Sequence, residues 1–251
     1  PFFLLAAAAS AVTLAAQQEW RAIQPLSLFS LDVRVMNAFV AYMTYCYRSL
    51  WPDALSVFYP HPGAHIEVWS VVLCASLVAG ISALAVRFLK RLPYLFVGWF
   101  LFAGMLVPVI GIVQVGTQAL ADRYTYMPLI GIFIAAAWGV SDLLARVRHR
   151  RGILAVAAAV VLIPLAVLTF RQAGVWRDSL TLFRHAVAVT ENNNWAQYNY
   201  GLALLERNET EAALRHFREA LRIRPGDTKS LNNIGLILAR SGDSAGAIRH
   251  F

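Results

Sequence analysis

Between two apolar runs lies QVGTQALADRYTYMPLIG, residues 114–131, where Asp122, Arg123, Tyr124 and Tyr126 fall within five positions. A planar guanidinium such as that of Arg123 grips a phosphate with two parallel hydrogen bonds. Around it Asp122, Gln118 and the two tyrosines could shape a cleft for a sugar or an isoprenoid tail. A plainer reading fits the same residues: Asp122 pairs with a neighbouring cation, Pro128 opens a helix, and the tyrosines anchor at a membrane surface. In YPHPGAH, His61 and His65 stand four apart, but Pro62 and Gly63 exclude the helix that would make this a zinc-binding face. With Tyr59 they read better as a polar lid over the same cleft, and no metal ligand is assigned. No nucleophile elbow, phosphate loop or dinucleotide fingerprint is present.

The elements that must hold these residues are membrane segments. The 251-residue chain is 59% hydrophobic and 14% charged, with a mean hydropathy of +0.56, far from the roughly 25% charge of soluble domains. Apolar runs cover residues 2–16, 31–47, 67–86, 94–113, 127–145 and 153–170. The last four approach the roughly 20 residues that span a bilayer, with Pro108 and Pro164 as expected kinks. Residues 31–47 carry Asp32, Arg34 and Asn37, and read as a helix in the outer interface rather than a crossing.

Of the 12 Lys and Arg in residues 1–172, seven sit in two short loops: Arg87, Lys90 and Arg91, then Arg146, Arg148, Arg150 and Arg151. That is the positive-inside pattern, so the basic excess reports topology and nucleic acid is not an expected partner. With both loops cytoplasmic, residues 114–131, 50–66 and the whole tail share the extracytoplasmic face. Cys46 and Cys74 lie in apolar segments without motif spacing.

From residue 173 the chain changes character, with 10 cations against 8 acids, and repeats itself at a shift of 34: Gly201 with Gly235, Ala213 with Ala247, Phe217 with Phe251. Small residues at fixed places are what stacked helical hairpins require. Tyr200, Gly201, Leu204, Ala213, Phe217, Ala220 and Pro225 resemble the tetratricopeptide repeat. The fold class expected is therefore all-α: a polytopic helical membrane domain (1–172), then a tetratricopeptide-repeat solenoid as a half repeat (173–193), a full repeat (194–227) and a truncated one (228–251). Such arrays present a groove to a protein or peptide. Asn208-Glu209-Thr210 matches a glycosylation sequon, but reads as a polar turn.

ADRYTYMPLIGIFI, PVIGIVQVGTQA, WPDALSVFYPHP, NAFVAYMTY and the repeats together resemble bacterial relatives of the transmembrane and tetratricopeptide-repeat-containing O-mannosyltransferases. The resemblance implies a multi-pass inner-membrane enzyme that moves a sugar from a polyprenyl-phosphate donor to a protein hydroxyl, with the repeats periplasmic. A divalent cation is a further expectation. In that superfamily the catalytic acid lies in the first extracytoplasmic loop, which this sequence lacks. The catalytic residue is therefore expected upstream, and these 251 residues alone are expected to be inactive. Arg123 is then the donor-phosphate candidate, supported by Asp122, Tyr124, Tyr126 and Gln118. The competing expectations are a non-enzymatic, membrane-anchored repeat scaffold and an oligosaccharide ligase or polymerase.

Overall fold

The structure, a computed structural model, describes residues 24–248; the first apolar run and Phe251 lie outside them. It is mostly helical, with ten helices among the described residues: α1 (Leu31–Leu50), α2 (Val68–Arg87), α3 (Pro93–Leu106), α4 (Leu129–Leu143), α5 (Arg150–Val175), α6 (Ser179–Val189), α7 (Asn194–Glu206), α8 (Thr210–Ile223), α9 (Thr228–Arg240) and α10 (Ser244–Ile248).

Two of them, α2 and α5, are long and apolar enough to cross a membrane. Val72, Leu73 and Leu77 on α2 and Val156, Val160, Leu162 and Ile163 on α5 are exposed. Helices apolar on every side, with no protein core around them, suit a hydrocarbon environment. Pro164 lies inside α5, as expected.

The expected spans at 94–113 and 127–145 are shorter than their hydropathy suggests. α3 has 14 residues and α4 has 15, or about 21 and 22 Å at 1.5 Å per residue. Pro108 does not kink α3 but follows its end: α3 stops at Leu106 with Val107, itself still in the α conformation, as its cap, because Pro108 has no N–H with which to continue the helical ladder. Gly111, at φ +103°, then turns the chain away. Pro128 caps the start of α4.

The chain forms two compact units. The first comprises His61–Ala159 with the described residues up to Trp51; the second comprises Pro52–Pro60 with the described residues from Val160 onward. In the first unit, α3 and α4 cross at Gly98 and Gly131. A Cβ on Gly98 would stand 2.5 Å from the Gly131 carbonyl oxygen and 2.8 Å from Ala135 Cβ, so only small residues permit this approach. Trp99 Nε1 donates to Ser82 Oγ at 2.8 Å, tying α3 to α2.

In the second unit, α6 to α10 pack consecutively, each against the next. Leu204, Phe217, Ala213, Ile234 and Ile237 form the core. Gly201 faces the Phe217 ring so closely that a Cβ would lie 2.7 Å from it. Ala220, Gly235 and Ala247 are buried, Tyr200 is half-buried and Pro225 is exposed. The 34-residue offset extends to the backbone. Asn193 and Asp227 each cap a helix through the N–H three residues on, at Ala196 and Ser230. Asn208 (φ 62°) and Gly242 (φ 89°) each end one, in the left-handed conformation that asparagine and glycine tolerate. The sequon asparagine therefore serves as a turn residue.

Candidate functional site

The polar stretch after α3 is held by one face of α1. Arg34, Asn37, Ala41, Tyr45 and Arg48 recur at steps of three and four, which places them on a single helical stripe. Arg34, only 5% exposed, donates from Nε to Phe29 O (2.8 Å), from Nη2 to Gln24 O (2.8 Å) and Pro25 O (3.2 Å), and from Nη1 to Ile112 O (3.4 Å). Asn37 Nδ2 donates to Ala119 O at 2.9 Å. The Tyr45 hydroxyl donates to Ala121 O (3.2 Å) and accepts from Ala121 N–H (2.9 Å). Irregular backbone near a bilayer must find its hydrogen bonds within the protein, and α1 supplies them to residues 112–121. Gln114, 2% exposed, pins the same stretch by donating to Gly116 O and Gln118 O.

Beyond Ala121 this support ends in an ion pair, Arg48 Nη1 to Asp122 Oδ1 at 3.2 Å. Residues 122–125 form a short 3-10 turn, which leaves Arg123 exposed with its guanidinium 5.1 Å from the Tyr124 ring centroid. Gln118 Nε2 donates to the Tyr124 hydroxyl at 3.4 Å. Tyr126 is 78% exposed. The structure thus brings Gln118, Asp122, Arg123 and Tyr124 together, with Asp122 engaged by a cation that sequence reasoning did not single out. Arg34 and Asn37 stood out as polar, but Tyr45 and Arg48 did not. The signal that could have found them is the three-and-four spacing of the polar positions on α1.

The three lid residues have separate surroundings. Tyr59 is buried in the second unit, its hydroxyl accepting from Ser56 N–H at 2.6 Å. His65 is exposed. His61 stacks on Phe29 at 4.2 Å and accepts the Gly63 N–H on Nδ1 at 3.0 Å, which leaves the proton on a buried Nε2. Burial first, and then the charge of Arg34, push its pKa down to about 4. Above the ordinary value of 6.5 the ring is neutral folded and unfolded. As pH falls from 6.5 to 4 only the unfolded chain takes up the proton, so stability drops through that window and levels off below it. The full displacement from 6.5 to 4 is worth about 3 kcal/mol, and solvent at the half-buried ring screens part of it, so a drop of about 2 kcal/mol is expected. Melting temperatures in detergent between pH 7 and 4 should record it, and His61→Phe should flatten the profile.

An apolar cavity of about 360 Å³ lies among α1 to α4, lined by Leu50, Leu84, Trp99 and Ile132 among others. No cluster of three or more His, Cys, Asp or Glu suited to a metal occurs among the described residues.

No family model matches the chain, and no solved structure matches it. A stretch of 93 residues, 37% of the chain, is 31% identical to the protein O-mannosyl-transferase Tmtc2 of Drosophila melanogaster. The chain is a distant relative of that glycosyltransferase. It covers 10% of that protein's length.

Proposed function

We propose that this chain is part of a membrane glycosyltransferase that moves a sugar from a polyprenyl-phosphate donor to a protein hydroxyl on the extracytoplasmic face of the inner membrane. The helices from α6 onward would be tetratricopeptide repeats that bind the acceptor protein or a partner. The observation that carries the donor site is the exposed Arg123 guanidinium over Tyr124, on a turn anchored by the Arg48–Asp122 pair. In transfer, the acceptor oxygen bonds to the anomeric carbon while the bond from that carbon to the phosphate oxygen breaks. Negative charge grows on the leaving phosphate, where a pre-positioned guanidinium stabilises it. Exposed Tyr126 offers a ring for the sugar, and the apolar cavity among α1 to α4 is suited to part of an isoprenoid tail.

The proton released by the acceptor needs a base. Asp122 is committed to Arg48, while Asp53 and Glu67 are exposed, Glu67 accepting from Trp69 Nε1. No base is assigned among these carboxylates or Asp32; the resemblance to the O-mannosyltransferases implies one upstream of these residues. The recurrence of side-chain helix caps and left-handed turn residues at a 34-residue offset supports the repeat reading.

In the full-length protein, Arg123→Ala should slow transfer from a radiolabelled polyprenyl-phosphate sugar by about 10- to 100-fold, the worth of a charge-assisted hydrogen bond. Arg123→Lys should restore part of it. Unchanged turnover in the alanine variant removes Arg123 from the donor site.

A further inference from the structure

The second unit already holds a peptide, the chain's own segment Pro52–Pro60. Two of its carbonyls, three residues apart, are gripped by side chains from the repeats and the end of α5. Leu55 O accepts from His185 Nε2 at 3.0 Å and from Gln172 Nε2 at 3.4 Å, and Phe58 O accepts from Asn193 Nδ2 at 3.1 Å. The Phe58 ring stacks on Trp195 with centroids 5.1 Å apart, and Trp195 is braced edge-on by Phe183 at 5.3 Å. The hydrogen bonds of this grip fall on main-chain oxygens, which any sequence supplies, and the ring contact falls on Phe58.

This grip does not recur at the 34-residue offset. Phe183 corresponds to Phe217, a core residue, so it is part of the hairpin design. His185, Asn193 and Trp195 correspond to Glu219, Asp227 and Lys229. Asp227 caps its helix as Asn193 does, with a carboxylate oxygen in place of the amide oxygen. Capping alone would thus be met by aspartate at 193; the amide Nδ2–H is what aspartate lacks, and it donates to Phe58 O and also to Thr190 Oγ1 at 3.0 Å. The position carries a donor, shared between Phe58 O and Thr190 Oγ1, that the cap of α7 does not require.

We propose that the surface formed by Gln172, His185, Asn193 and Trp195 is a binding site for an extended protein segment bearing an aromatic residue, and that Pro52–Pro60 is its built-in occupant, displaced when such a segment of a partner binds. Tethering gives the internal segment a high effective concentration, so a partner must compete with it. The inference rests on the reading of the helical hairpins as a protein-binding surface. Its readout is peptide binding rather than sugar transfer, so its failure leaves the transferase reading to its own assay.

The test uses the whole chain in detergent and a fluorescent peptide, PDALSVFYP. Phe58→Ala, which weakens the internal occupant, should bind the peptide at least tenfold more tightly than the parent chain. Adding Trp195→Ala should abolish the gain, and adding Asn193→Asp, which keeps the cap and removes the donor, should reduce it about fivefold with helix content unchanged. A peptide with alanine at the Phe58 position should not compete. In the parent chain, saturating peptide should speed hydrogen exchange at residues 54–59, a measurement that needs no substitution. Failure of the peptide to bind the Phe58→Ala chain, equal binding after Trp195→Ala, or unchanged exchange in the parent chain would overturn the proposal.

Discussion

Replacing Arg34 with alanine should destabilise the first unit by about 3 kcal/mol, which chemical or thermal unfolding in detergent would measure. The guanidinium satisfies carbonyls from Gln24, Pro25, Phe29 and Ile112 at once. Each buried acceptor left without a partner costs about 1–3 kcal/mol, partly offset because a buried charge is also removed. Three of those carbonyls precede α1 and one follows α3, so the loss should loosen both chain segments together. Hydrogen exchange should therefore rise at Gln24, whose N–H donates to Gln114 O, and at Ala121 on the far side of the stretch. Arg34→Lys should recover less than half of the loss, because an ammonium ion cannot fork to diverging acceptors. A loss below about 0.5 kcal/mol, the range of an ordinary surface change, would show that the stretch does not depend on α1.

Gly98→Ala is the second substitution with a large expected effect. In an exposed helix the change would stabilise by up to about 1 kcal/mol; here the sign should reverse. The added methyl would meet the Gly131 carbonyl oxygen at 2.5 Å and Ala135 Cβ at 2.8 Å, and backbone cannot swing aside as the end of a flexible side chain can. Moving the two helices apart loses contact along the whole crossing, for a cost of about 3 kcal/mol. Gly104→Ala, on the same helix with nothing within 4 Å of the added carbon, is the matched control and should be neutral or stabilising. Equal melting temperatures for the two variants would contradict the packing assigned to Gly98.

Some of this architecture was legible in the residues. The hairpins announced themselves because close helix approach admits only Gly or Ala at Gly201, Ala213 and Ala220, and that restriction recurs every 34 positions. The turn around Arg123 was visible as a polar island bounded by Gly116 and Pro128. Helix lengths were not, because hydropathy continues through 107–113 while Pro108 and Gly111 divert the backbone; a greasy side chain says nothing about its own φ. The role of α1 was half-visible. Arg34 and Asn37 in an apolar run signal buried partners, but those partners are main-chain carbonyls, two of them some 80 residues away, and a carbonyl leaves no trace in residue type. The hold on Pro52–Pro60 was hidden for the same reason, apart from the Phe58 and Trp195 rings.

The 14 and 15 residues of α3 and α4 have a consequence for the lipid around them. Rods of about 21–22 Å fall short of a hydrocarbon layer about 30 Å thick, so a crossing built on either would have to be matched by thinning of the lipid, at a cost of a fraction of a kcal/mol per Å. Were α3 and α4 to cross a bilayer, the two leaflets beside them would draw together and the headgroups there would sit deeper. Reconstitution into short-chain lipids should therefore favour this protein over long-chain ones.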